Sequence, residues 1–146
     1  MKILFVCLGN ICRSPLAEAI ARDIAQKEGL DIIFDSAGTS HHHIGEPPCD
    51  YSQKVALANG IDISDLRARQ VTNSNDEKFD IIIALDRKNL ASLRDLGFRD
   101  VRLLGEFGYE GADVPDPYYF ESYGKGIEEV YKMIKICVIN LLKEAI

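Results

Sequence analysis

Residues 2–8 read Lys-Ile-Leu-Phe-Val-Cys-Leu, an apolar run of strand-forming residues that Gly9-Asn10 breaks off at once. A run this short and this uniformly apolar fits a strand buried on both faces, as in a parallel sheet. Ser14-Pro15 reads as a helix start, with Ser14 expected at the N-cap and Pro15 at the first helical position. Leu16, Ala17, Ile20, Ala21 and Ile24 then recur at helical spacing up to a stop at Gly29.

The same alternation continues along the chain. Strands are expected over 32–37, 79–85 and 101–104, and helices over 51–59, 87–96 and 124–146, with a long loop over 105–123. Ile127, Val130, Tyr131, Ile134, Cys137, Val138, Leu141 and Leu142 give the last helix one continuous apolar stripe. Strands alternating with helices imply an α/β fold whose parallel sheet is covered on both faces. Ligands in such folds bind outside the carboxyl ends of the strands. The 146 residues fit a single domain, 1–146, large enough to need neither disulfides nor metal to stay folded.

Composition narrows the function. Seventeen Lys and Arg against 23 Asp and Glu give a net charge of −6, and no basic run exceeds two residues. Counterion release on nucleic acid needs clustered cations, so a nucleic-acid partner is not expected. No segment approaches the ~20 apolar residues of a membrane span, and the N-terminus lacks a signal-peptide cleavage pattern. A cytoplasmic location is expected. Cys7, Cys12, Cys49 and Cys137 are then expected to be reduced thiols, without zinc-ligand spacing.

The segment Cys7-Leu8-Gly9-Asn10-Ile11-Cys12-Arg13-Ser14 joins the first strand to a helix N-terminus. That location is an anion site, with outward N–H groups and a favourable dipole. The Walker and dinucleotide glycine patterns are both absent. What the loop carries is a Cys and an Arg five residues apart. A loop of that length can curl its N–H groups into a nest for phosphate oxygens, and Arg13 can close the ring bidentately. Such surroundings lower a thiol pKa to ~3.5–7.5, and a thiolate below a phosphate is set for in-line attack on phosphorus. Cleavage also needs an acid for the leaving oxygen. Asp116, stiffened by Pro117 and followed by Tyr118, Tyr119 and Phe120, is the candidate. Aromatic neighbours would raise its pKa by desolvation and wall a cleft for a flat substrate.

Six stretches make the sequence resemble the low-molecular-weight protein tyrosine phosphatases: VCLGNICRSPLAEA (6–19), DSAGTS (35–40), GEPP (45–48), ARQVT (68–72), FDIIIALDRKNL (79–90) and VPDPYY (114–119). The resemblance implies a three-layer flavodoxin-like fold with a four-stranded parallel sheet flanked by helices on both faces. It implies hydrolysis of phosphotyrosine and aryl phosphates, with Cys7 as nucleophile through a phosphocysteine. Arg13 would clamp phosphate, and Asp116 would serve as general acid and then base. The phosphate loop would comprise Leu8, Gly9, Asn10, Ile11, Cys12 and Ser14, with Ser36 in support and Ser14 bonded to the Cys7 sulfur. Leu8, Ile11, Tyr118 and Tyr119 would line the substrate slot. Ile11, where phosphoarginine-specific relatives carry Thr, favours phosphotyrosine. A reversible Cys7–Cys12 disulfide is a further implication.

The chain departs from the family pattern in places. It has no Trp, and His42 is expected at the Trp-like position, with His43 beside it in the slot. Cys49-Asp50-Tyr51 replaces a common Asp-Pro-Arg, and Leu66 a common His. Three adjacent His are strained as ligands of one ion, so no metal or organic cofactor is expected. Expected partners are phosphotyrosine proteins or aryl phosphates. A cognate tyrosine kinase is left open, and so is weak self-association of a mainly monomeric chain. Two other readings remain: an arsenate reductase, which would need a relay through Cys49 and Cys137, and a non-catalytic phosphotyrosine-binding module.

Overall fold

The structure, a computed structural model, describes residues 1–117 and 123–145, except for the side chains of 123–125. Four strands, β1 (Lys2–Cys7), β2 (Ile33–Gly38), β3 (Ile81–Ala84) and β4 (Val101–Leu103), form one all-parallel sheet in the order β2-β1-β3-β4. Among the described residues, five α-helices accompany it: α1 (Arg13–Glu28), α2 (Asp50–Ala58), α3 (Asn73–Asp76), α4 (Arg87–Asp95) and α5 (Tyr123–Ala145). This is the flavodoxin-like order, in which connections leave β1 and β3 toward opposite edges and open a crevice at their carboxyl ends.

Alternation along the strands divides the core in two. Ile3, Phe5 and Cys7 of β1 face α1, α2 and α5, joined there by Ile83 and Leu85. Leu4 and Val6 face the other way, against Val71, Leu93 and Phe98. Because β1 is central and buried on both faces, it reads as an unbroken apolar run. Edge strand β4 instead buries Val101 and Leu103 and exposes Arg102. The apolar stripe of α5 is buried from Ile127 to Leu142. Helix α1 stops where Gly29 turns left-handed (φ 69°) and its N–H reaches back to the Gln26 carbonyl.

Helix α3 is absent from the sequence reading because it presents no apolar periodicity. It is one turn, capped by Thr72, whose Oγ1 accepts from the Asn75 N–H at 3.3 Å. The strand over 79–85 is shorter than expected, and the turn at 104–106 takes the start of the long loop. Among the described residues, no helix is long and apolar enough to cross a membrane.

Ile134, fully buried between α5 and the sheet, reports on this core. Ile134→Ala is expected to destabilise the protein by about 2–5 kcal/mol through lost contact and a residual cavity. Denaturant unfolding measures it, and a change under ~0.5 kcal/mol, typical of surface sites, would contradict this packing.

Candidate active site

The sheet's central strand ends at Cys7, and the chain then curls through residues 8–12 before α1 begins at Arg13. Asn10 makes the curl with a left-handed backbone (φ 57°), a conformation that Asn tolerates better than most residues. Its side chain ties the loop to three other segments. Nδ2 donates to Ser14 Oγ (2.8 Å) and to Ser36 Oγ (2.9 Å), while Oδ1 accepts from the Arg69 N–H (3.0 Å). Gly38, at the end of β2, lets the loop lie this close. A Cβ there would meet the Leu8 carbonyl oxygen at 2.7 Å.

Cys7 Sγ sits at the base of the curl, 2% of the residue exposed. It accepts from the Asn10 N–H (3.3 Å) and lies 3.0 Å from Ser14 Oγ. With Cys7 as thiolate, the serine hydroxyl is the donor of that pair. Ser14 is therefore not the N-cap expected from the sequence. Cys12 takes that position, without a side-chain cap, and Ser14 lies inside α1 with its hydroxyl turned to the sulfur. The Ser-Pro signal placed the helix start within two residues, but the loop needed the hydroxyl elsewhere.

Arg13 is buried, and its guanidinium is held in a fixed orientation. Nη1 donates to Asp86 Oδ2 (2.7 Å) and to the Val114 carbonyl (3.0 Å), and Nη2 lies 3.7 Å from Asp116 Oδ2. Burial works against its charge. Electrostatic attraction from Cys7, Asp86 and Asp116 together outweighs burial and holds the guanidinium pKa above its ordinary value. Asp86 also caps α4, its Oδ1 accepting from the Asn89 N–H at 2.8 Å. One carboxylate thus links the phosphate loop to the helix after β3. Asp86 lies 73 positions from Arg13, and no local pattern marks their ion pair.

A second layer lies behind the loop. Ser36 Oγ donates to Glu18 Oε1 (2.6 Å), and Glu18 Oε2 pairs with Arg22 (2.7 Å). Burial pushes the Glu18 carboxyl above its ordinary value, against the Ser36 bond and Arg22. Arg69 pairs with Asp76 (2.7 Å) and Asp35 (3.1 Å), which fixes the backbone N–H that reaches Asn10. Leu66 packs, partly buried, against the core. Arg69 and Asp76, seven positions apart, lie far from Glu18 in sequence, and no local pattern joins them to the loop.

These groups open onto a cavity of about 460 Å³. Cys7, Arg13 and Asp116 converge on it, with Leu8, Ile11 and Cys12 from the loop. His42 and His43 line its far side, and His43 Nδ1 lies 2.5 Å from Glu46 Oε2. His43 also packs over Gly9, its Cδ2 only 3.0 Å from where a Cβ would stand. Tyr118 and Tyr119 lie outside the described residues. Cys49 lines the same cavity, its Sγ 2.6 Å from Cys12 Sγ. Cys49 thus faces Cys12 and not Cys137. The Cys137 thiol lies in the core, where burial pushes it up to about 11. Among the described residues, no three His, Cys, Asp or Glu converge as metal ligands. A cysteine sulfur, a fixed guanidinium and a carboxyl around one pocket can together bind a phosphate and attack it.

The family model described as "Low molecular weight phosphotyrosine protein phosphatase" matches residues 2–146. The chain is 46% identical over 150 residues to the low molecular weight protein-tyrosine-phosphatase YfkJ of Bacillus subtilis, covering 97% of this chain and 94% of that protein. The crystal structure of YfkJ superposes with a TM-score of 0.90 at 43% identity, over 99% of this chain and 93% of that one. A protein tyrosine phosphatase from Entamoeba histolytica, with Hepes in its active site, gives 0.91 at 35% identity, over 99% and 96%. A drosophila arginine phosphatase gives 0.90 at 30% identity, over 99% and 98%.

Two predictions test this scaffold. Asn10→Ala loses three hydrogen bonds and strains a left-handed residue, so a loss on the order of 3 kcal/mol is expected, together with a fall in turnover. Thermal melts and phosphatase assays measure both, and wild-type values in each would overturn the role given to Asn10. Glu18 predicts a pH slope. Its folded pKa is raised, so the folded state holds the proton more tightly than the unfolded chain. Its contribution to stability is full below the ordinary value of 4.5 and falls as pH rises through the folded value. Glu18→Gln should flatten the Tm profile above the ordinary Glu value of 4.5. Parallel profiles for the two proteins would refute it.

Proposed function

Because the chain belongs to the low molecular weight phosphotyrosine protein phosphatase family, we propose a mechanism in which Cys7, Arg13 and Asp116 carry its chemistry. The protein is a protein-tyrosine phosphatase, a phosphoric monoester hydrolase. The observation that carries the assignment of roles is the convergence of those three side chains on one cavity at the carboxyl end of the central strand.

The phosphate group of the substrate enters the curl of residues 8–12, where loop N–H groups and Arg13 take its non-bridging oxygens. The Cys7 thiolate attacks phosphorus in line, and the bond to the tyrosyl oxygen breaks. Asp116 gives its proton to that oxygen, so tyrosine leaves neutral. Ser14 donates to the Cys7 sulfur, stabilising the thiolate both as nucleophile and, later, as leaving group. Asp116, now ionised, takes a proton from water as that water attacks the phosphocysteine. Inorganic phosphate leaves and the thiolate returns. The charge that builds on phosphoryl oxygen is met by Arg13 and the loop, so the reaction as written requires no metal.

Ile11 and Leu8 supply apolar walls suited to an aryl ring, and His42 and His43 line the same cavity. The fold alone does not separate phosphotyrosine from phosphoarginine, since an arginine phosphatase shares it. Ile11 favours phosphotyrosine. The chain works as one domain on phosphotyrosine proteins or aryl phosphates in the cytoplasm, where Cys7 stays reduced. A cognate tyrosine kinase would supply its substrates.

The test is hydrolysis of a phosphotyrosine peptide with EDTA present, beside phosphoserine and phosphoarginine substrates. Activity is expected on phosphotyrosine alone, and it should vanish in Cys7→Ser while phosphate binding persists. Asp116→Asn should lower kcat by about 10²–10⁴-fold for esters with poor leaving groups, and less for good ones. Residual turnover in Cys7→Ser above a few per cent, or an equal Asp116→Asn loss across leaving groups, removes the corresponding role.

A further inference from the structure

Cys12 and Cys49 come from segments 37 positions apart, yet their sulfurs lie 2.6 Å from each other, against about 2.05 Å in a disulfide bond. The juxtaposition is held from several sides. The Cys49 N–H donates to the Ile11 carbonyl (2.8 Å), pinning its backbone to the phosphate loop. Ser52, fully buried on the first turn of α2, donates to the Cys12 carbonyl (2.8 Å) and accepts from the Cys49 thiol (3.2 Å). Cys12 and Cys49 are the N-cap residues of α1 and α2, and neither caps its helix through its side chain. Both sulfurs therefore sit at helix N-termini, where partial positive charge favours an anion. Both are half-buried and line the active-site cavity, so small oxidants can reach them.

We propose that Cys12 and Cys49 form a reversible disulfide, the oxidised state of this site in which Cys7 is kept as a thiol. The oxidant is a hydroperoxide. One thiolate of the pair attacks the peroxide, the O–O bond breaks, and a sulfenic acid and water result. The second sulfur attacks the first, the S–S bond forms, and the sulfenic oxygen leaves as a second water. Two electrons pass from two thiols to one peroxide, and both thiol protons end in water. A sulfenic acid formed on Cys7 is cleared by the same pair. Cys12 captures it, expelling water. Cys49 thiolate then attacks Cys12 Sγ, and Cys7 leaves as thiolate. Either route ends at Cys12–Cys49. Closing 2.6 Å to a bond asks little of the loop, so the oxidised enzyme keeps its phosphate site. Thiols such as glutathione restore the pair by exchange.

The disulfide stands on the sulfur geometry alone, whereas its protective effect rests on Cys7 as the phosphatase nucleophile. The test separates the two. Wild-type protein is treated with hydrogen peroxide, alkylated and digested with trypsin, and its disulfides are mapped by mass spectrometry. Cys7 and Cys12 share the tryptic peptide 3–13, and Cys49 lies in 28–54. A cross-link between these peptides, with Cys7 alkylated, is expected. A dominant disulfide within 3–13, or no disulfide, overturns the proposal. Activity is then compared as the fraction of each protein's own reduced value. Wild type should keep most of it, and Cys49→Ser and Cys49→Ala should lose most of it at the same dose, with the link in 3–13 now appearing. Equal losses in wild type and variants, with the Cys12–Cys49 link present, overturn the protective effect and leave the disulfide standing.

Discussion

The side-chain amide of Asn10 bonds to three stretches of chain that share no sequence neighbourhood: the first turn of α1 through Ser14, the strand β2 through Ser36, and the segment before α3 through Arg69. All three bonds are made from a residue that is itself buried and left-handed. A loop of bends has no ladder of its own to hold it, so its shape must come from outside. Everything chemical at this site depends on that shape. The Asn10 N–H faces the Cys7 sulfur because the residue turns left-handed, and Ser14 faces it because Asn10 occupies the other side of the hydroxyl.

The sheet supplies the frame within which this holds. Cys7 and Arg13 lie at the end of one strand and the start of one helix, positions that local sequence fixes relative to each other. Asp86, by contrast, arrives from β3 and Val114 from the loop after β4. The parallel order puts the ends of β1 and β3 side by side, which is why a guanidinium from the first connection meets a carboxylate from a later one. Arg13 is thereby oriented in the folded protein, and the entropy of ordering its long side chain is met during folding.

Redox chemistry at the pocket follows from the same frame. The α2 N-terminus is docked on the phosphate loop by a backbone bond from Cys49 to Ile11 and by Ser52. A cysteine at that N-cap faces Cys12 as a consequence of the docking. Cys137 shows what the fold does with a thiol that has no such role: it is buried within the stripe of α5, and burial holds it protonated.

Much of this was readable from the chain. Periodicity gave four strands and the long helices, because a strand buried on two faces and a helix buried on one stripe must carry their apolar residues in those patterns. Cys-x5-Arg between a strand and a helix pointed to a phosphate loop, since both residues and the backbone that joins them are local. Helix α3 escaped, having only polar residues and a cap. Ser14 was read as a cap, because sequence shows a hydroxyl before Pro15 but not the sulfur across the loop. Glu18, Arg69, Asp76 and Asp86 act on the site through contacts between distant segments, and Cys49 is 37 positions from Cys12, so no local pattern shows these meetings. The chain by itself determined what is set by nearest neighbours: the elements, the loop and the residue types it carries. Tertiary structure alone decided which charges, hydroxyls and thiols meet, because those contacts join positions as distant in the chain as Arg13 and Asp116, and their distance in space is fixed only when the sheet order is.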